Sequence, residues 1–249
     1  MKILRPFLVA LQFLTRIPLA LHTAPSADDL RWATAFYSAV GLVIGVGEVA
    51  VYKVSVWWLP VPASLVLVLL FSALITGALH EDGLADCADA FFGARDRDRV
   101  LAIMRDSRIG TFGALAVAFS LLLKLTLLSS LGDQGVVRGL VIAPVLSRWL
   151  VLPLARLSRG ARADGLGSAF ADQVGSTQIV SAALPVLIAG VYLYGGLLPL
   201  VLAFPTAAVA LVGWYCRRRI GGVTGDCLGA AIQCAEITTY LALVSLERS

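Results

Sequence analysis

VPASLVLVLLFSALITGAL, residues 61–79, carries no charged side chain. As an α-helix these nineteen residues would rise about 28 Å, close to the roughly 30 Å of a bilayer's hydrocarbon core. A run of this length without charge predicts a membrane span. Six further apolar stretches extend the pattern on either side, at about 31–52, 111–131, 136–157, 180–196, 199–215 and 226–246. Turn chemistry separates them at Pro60 and Pro62, at Gly132 to Gly135, and at Gly195, Gly196 and Pro199. Composition agrees. Charged residues make up 14% of the chain, against roughly 25% in soluble domains, hydrophobic residues 59%, and the mean hydropathy is +0.86. These figures exclude a disordered chain and an ordinary water-soluble domain. Cys87, Cys216, Cys227 and Cys234 form no CxxC pair, so they read as small buried apolar residues and not as a disulfide framework.

The expected fold is therefore all-α: a polytopic helical membrane protein of about seven transmembrane helices, organised as one domain over residues 1–249. Met1 to Leu21 is apolar but interrupted by Thr15, Arg16 and Pro18, and reads as an interfacial or re-entrant helix, with a cleaved signal as the alternative. When the seven spans are threaded, fifteen of the twenty Lys and Arg residues fall on one side, including Arg95 to Arg108 and Arg217 to Arg219. That side is expected to be cytoplasmic, in a bacterial inner membrane, with the carboxyl terminus outside. The net charge of +4 thus reports topology and gives no reason to expect a nucleic-acid partner.

The chemistry concentrates at residues 80–110, on the cytoplasmic side. In HEDGLADCADAFFG, residues 80–93, Asp82, Asp86 and Asp89 stand at i, i+4 and i+7, so a helix places three carboxylates on one face. Their repulsion is relieved by a cation, and oxygen-only ligands favour Mg²⁺ or Mn²⁺ over zinc, completed by substrate phosphates. The alternative is a solvated helix face. His80 is a candidate proton acceptor or a boundary hydrogen-bonding residue. Farther on, Arg105 and Arg108 precede Ile109 to Gly113 and suggest a clamp for a pyrophosphate at a helix start. Asp106 is a fourth metal ligand or orients one of these arginines. Arg95 to Arg99 alternate in sign and read as a self-paired surface.

A second polar cluster, GGVTGDCLGAAIQCAE at residues 221–236, opens the last span. Thr224, Gly225 and Asp226 suggest a close approach to phosphate or metal, or a turn with an N-cap. Glu236 lies about 15 Å inside the span, and Arg148 lies inside another; each is a substrate contact or half of an internal ion pair. A transporter would also carry intramembrane charges, but gives no reason for an acidic cluster with arginines at one mouth.

Taken together, these residues resemble the cobalamin synthase family, adenosylcobinamide-GDP ribazoletransferases. The resemblance runs through LQFLTRIPL (Leu11–Leu19), GALHEDGLADCADAFFGARDRDRVLAIMRDSRIGTFGALA (Gly77–Ala116), Ser147 and Arg148, DGLGSAF (Asp164–Phe170, with Gly167) and residues 221–236. The family often has a hydrophobic residue where this chain has Glu81, and Gly where it has Ala90. The resemblance implies transfer of the cobinamide-phosphate group of adenosylcobinamide-GDP to α-ribazole or its 5′-phosphate, with release of GMP and with Mg²⁺ as cofactor. It also implies as partners the bilayer and either further copies of the chain or other membrane-associated cobalamin assembly enzymes. The rival enzyme, a CDP-alcohol phosphotransferase, shares a DxxD spacing at Asp86 and Asp89 but would need a fuller motif than this chain has.

Overall fold

The computed structural model describes residues 4–19, 21, 23–158, 160, 161, 170 and 173–248. Its described residues are helical, apart from short 3-10 turns, loops and one isolated bridge between Gly160 and Val223. The helices are α1 (Leu4–Leu14), α2 (Ala27–Ala33), α3 (Tyr37–Ser55), α4 (Val61–Thr76), α5 (Leu79–Gly93), α6 (Arg97–Ile103), α7 (Thr111–Ser129), α8 (Asp133–Leu157), α9 (Ser176–Tyr194), α10 (Leu198–Ile220) and α11 (Gly225–Glu247). With eleven residues, α1 reaches only about 16 Å and cannot cross a bilayer. A capping box at Ser26 and Asp29 starts α2, and Arg5 ties α1 to it through Asp29 at 2.8 Å. A 3-10 turn then joins α2 to α3.

Among the described residues, five helical runs are long and apolar enough to cross a membrane, and a sixth counts if α4 and α5 form one bent span. The count of continuous runs falls short of seven for two local reasons. The expected spans 180–196 and 199–215 lie in one run, Ser176–Ile220, interrupted only by the 3-10 turn Gly195–Leu197, where Gly195 has φ +54°. At that turn Leu198 packs against Gly190, 2.5 Å from where a Cβ would stand; a straight helix would hold residues eight apart about 12 Å from each other, so the chain folds back. The span expected at 61–79 ends early, because Gly77 (φ +65°) and Ala78 (φ +55°) are both left-handed and turn α5 by 89° from α4. Arg16 packs on Gly77 at this corner, and its N–H donates to the Ile75 carbonyl at 2.6 Å.

Burial orders the bundle. The windows of α8 and α11 are 72% and 78% buried, against 22% for α7 and 28% for the α9–α10 run, so α8 and α11 form the centre. Leu115, Phe119, Leu122 and Leu123 on α7, and Val180, Leu184, Leu187 and Ile188 on α9, face outward, as a lipid-facing surface requires. At the α3–α4 junction Trp57 and Trp58 are 80% and 74% exposed, as in an interfacial aromatic belt.

Glycines set the central contact. A Cβ on Gly41 would fall on the Pro144 carbonyl, and one on Gly45 would lie 2.6 Å from the Leu140 oxygen. The Gly-x-x-x-Gly spacing of residues 41–45 thus brings α3 and α8 into backbone contact. Gly41→Ala is expected to destabilise the protein by about 1–3 kcal/mol. Gly132→Ala, where nothing lies within 4 Å of the added methyl, is expected to stay within about 0.5 kcal/mol. Thermal unfolding in detergent micelles compares the two.

Candidate active site

Backbone contact of the same kind brings α5 to α11. A Cβ on Gly83 would lie 2.8 Å from the Asp226 carbonyl oxygen, and one on Gly229 would lie 3.4 Å from the Cα atoms of Gly83 and His80. His80 and Asp82 from α5 thereby meet Gly225 and Asp226 from α11 around a cavity of about 150 Å³. Its other walls are apolar, among them Phe13, Tyr37, Val151 and Phe170. Three of these form an aromatic stack, with centroids 6.2 Å apart for Phe13 and Tyr37 and 5.4 Å for Tyr37 and Phe170.

The three carboxylates do share one helix, α5, yet they have different surroundings. Asp82 is exposed at the cavity, and Asp86 is half-buried one turn on. Asp89 accepts the N–H of Gly110 at 2.7 Å with one oxygen and that of Gly113 at 2.8 Å with the other. It thus caps α7 from a neighbouring helix, satisfying amides that have no partner within α7. A Cβ on Gly110 would stand 2.5 Å from the Asp89 carboxylate. The glycines expected to admit a substrate phosphate admit this carboxylate instead.

Asp106 is likewise engaged. Arg108 grips it with Nε at 3.0 Å and Nη2 at 2.6 Å, and these hydrogen bonds, with one from the Arg108 backbone, hold its carboxyl down at about 2. Asp89 thus caps α7, Asp106 holds Arg108 as the second of its two expected readings, and neither lines the cavity. Among the described residues no three His, Cys, Asp or Glu side chains gather closely enough to hold a metal ion. The donor set fits a hard cation held by one or two carboxylates, Asp82 and Asp226 at the cavity, with substrate oxygens completing the shell; it does not fit an all-protein cage. Arg105 and Arg108 are exposed at the α6–α7 junction.

Beneath the cavity lies a charged cluster within the bundle. Glu236 of α11 pairs with Arg148 of α8, and its other oxygen accepts from Lys124 of α7 at 2.6 Å. Ser147 adds a bond to Glu236 at 3.3 Å. Arg148, Lys124 and Glu236 are 1%, 3% and 4% exposed. The internal ion pair, one of the two readings of Arg148 and Glu236, is the arrangement observed. Lys124 was not anticipated as the third member; its signal was a lone cation at mid-span. Arg148 Nη2 also reaches His80 Nδ1 at 3.4 Å. Nearby, Gln233 donates to Glu81 at 2.9 Å and accepts from Ser120 at 3.1 Å, which accounts for a polar residue at position 81.

Thr224 is an N-cap: its Oγ1 accepts the Cys227 N–H at 3.3 Å and donates to Asp226 at 3.1 Å. This is the turn-and-N-cap reading of residues 224–226, and it holds Asp226 at the start of α11. Gly167 lies outside the described residues. Arg97 is not merely self-paired; besides Asp98 it binds the Ile220 and Ala161 carbonyls at 3.0 and 2.8 Å. All four cysteines are free; Cys87, Cys216 and Cys227 are buried as read from the sequence, whereas Cys234 is only half-buried.

Fold and cavity define a polytopic membrane protein with two carboxylates and a histidine at an otherwise apolar pocket. Residues 6–244 match the family model described as cobalamin-5-phosphate synthase, and the chain belongs to that family. Among its relatives, proteins named adenosylcobinamide-GDP ribazoletransferase are 36% identical in Clostridium botulinum (strain Langeland), over 98% of this chain and 99% of theirs, and 31% identical in Clostridium tetani, over 99% and 98%. A third, from Clostridium novyi, is 34% identical over 98% of each. No solved structure matches the chain.

Two substitutions separate support from chemistry. Glu236→Gln leaves Arg148 and Lys124 buried without a counter-charge and is expected to cost about 3–5 kcal/mol of stability, read by thermal unfolding in detergent. Asp89→Asn keeps one acceptor and loses the other, so one amide of the α7 start is left unmet; a loss of about 1–3 kcal/mol is expected. If Asp89 acts as a cap, its substitution shifts the melting temperature and leaves the Mg²⁺ concentration needed for half-maximal turnover unchanged.

Proposed function

We propose that this chain joins the two halves of a corrinoid nucleotide: it transfers the cobinamide-phosphate group of adenosylcobinamide-GDP to α-ribazole or its 5′-phosphate and releases GMP. The observation that carries this reading is the cavity where Asp82 and His80 of α5 meet Asp226 of α11, in a chain of this family. The reaction forms a bond from an acceptor hydroxyl oxygen to phosphorus and breaks the phosphoanhydride bond to GMP, so it calls for positioning and charge stabilisation more than for a protein nucleophile. Asp82 and Asp226 would hold Mg²⁺, which supplies neutralisation of phosphate charge when bound. The aromatic stack offers an apolar wall for the uncharged parts of the substrates. Arg105 and Arg108, both exposed at the α6–α7 junction, would contact phosphate oxygens, each exchanging its present interactions for them.

Orientation follows from the basic residues. Arg219 binds the carbonyls of Phe91 and Ala94 at 3.2 and 2.6 Å, and Arg97 binds that of Ile220, so arginines gather at the carboxyl end of α5, the helix whose first turn carries Asp82. Positive residues mark the cytoplasmic face, which supports a site on the cytoplasmic side of a bacterial inner membrane.

The test is turnover in liposomes with adenosylcobinamide-GDP and α-ribazole. GMP and a corrinoid product are expected in equal amounts, dependent on Mg²⁺, and Asp82→Asn is expected to reduce the rate by about 100-fold or more. Full turnover in a Mg²⁺-free, chelated preparation would remove the metal from the proposal. Absence of GMP with both acceptors would overturn the reaction itself.

A further inference from the structure

We infer that His80 serves the site as a hydrogen-bond donor through Nε2–H, and not as the general base, with Arg148 as the positioning residue that fixes its tautomer. This inference rests on the transferase reading for its substrate but on geometry for its sign. A guanidinium has donors and no acceptor. The contact of Arg148 Nη2 with His80 Nδ1 at 3.4 Å is therefore a hydrogen bond only if Nδ1 carries the lone pair, which leaves the ring proton on Nε2. The opposite tautomer, which a base acting through Nε2 requires, would point Nδ1–H at the N–H of Arg148.

Arg148 has no freedom to turn away. Glu236 holds its Nη1, Ser147 accepts from the same atom at 3.0 Å, and Lys124 completes the charge balance of Glu236 from the far side. The ring itself is 2% exposed. Its Nε2 is buried and has no protein hydrogen-bond partner, although His80 lines the cavity beside Asp82 and Asp226. A buried donor left without an acceptor is costly, and such an atom in a native fold asks for an explanation. The ligand chemistry that answers it is an anionic oxygen, such as a phosphate or diphosphate ester presents. A fixed neutral donor strengthens as charge develops on that oxygen and needs no reorganisation to do so.

The assignment also places the proton. When the acceptor hydroxyl bonds to phosphorus, its proton passes to a phosphate oxygen of the departing nucleotide, and GMP leaves with that proton and with the electron pair of the broken phosphoanhydride bond. His80 neither gains nor loses a proton in this sequence.

The test uses the full-length chain in liposomes, labelled with ¹⁵N-histidine. The chain has two histidines, so the His22→Gln background leaves His80 alone in the spectrum. Solid-state NMR should show a protonated Nε2 and an unprotonated Nδ1, and the Nε2–H signal should move when adenosylcobinamide-GDP or inorganic pyrophosphate is added. In turnover, His80→Gln can still present an N–H near the Nε2 position and should stay within about tenfold of the parent, whereas His80→Leu should lose roughly 100-fold in kcat with little change in the KM for α-ribazole. A Nδ1–H tautomer, or a Nε2–H signal unmoved by both ligands, would overturn the inference. If instead pyrophosphate moves the signal while no GMP is ever released, the donor stands and the transferase reading fails.

Discussion

One carboxylate inside the bundle answers for two cations. Glu236 pairs with Arg148 and Lys124, and each of the three is expensive in a bilayer without the others. Because they come from α11, α8 and α7, their mutual need fixes the register of three helices at one depth. His80, on α5, is attached to the same cluster through Arg148. The arrangement converts a cost of the membrane environment into placement of the residue that lines the cavity.

Above this cluster the cavity depends on absent side chains. Gly83 and Gly229 let α5 lie on α11 at backbone distance, which sets Asp82 beside Asp226. The left-handed pair Gly77 and Ala78 turns α5 across the end of α4, so the acidic helix runs at a steep angle to the span before it. Asp89 then couples that helix to the start of α7. Charge, close packing and a sharp corner act on one short helix.

Much of this was legible in the sequence. Uninterrupted apolar stretches gave the helices, because a span must meet every backbone group within itself, and the i, i+4, i+7 spacing placed Asp82, Asp86 and Asp89 on one face. Equivalent spacing did not mean equivalent roles. A face seven residues long extends about 10 Å, far enough for Asp82 to reach a cavity while Asp89 meets another helix. Arg148 and Glu236 were each visible as charges that needed partners, but the choice of partner is three-dimensional: Lys124 and Glu236 are 112 residues apart. The bend after α4 was hidden because Ala78, unlike glycine, gives no sign of a left-handed backbone. The close packing at Gly41 and Gly45 was not read from the sequence, because glycine within an apolar span shows what it packs against only in three dimensions.

The packing of α3 on α8 has a consequence for the proline in α8. Pro144 has no N–H, so the carbonyl of Leu140 loses its usual donor one turn ahead, and inside a bilayer there is no water to replace it. Gly45 stands where a Cβ would lie 2.6 Å from that oxygen. In glycine that direction carries a hydrogen, so α3 offers the deprived oxygen a weak Cα–H···O contact. Gly45 therefore compensates, from another helix, for a defect that Pro144 writes into the backbone of α8, and the two positions form a unit in which neither residue can be exchanged without regard to the other.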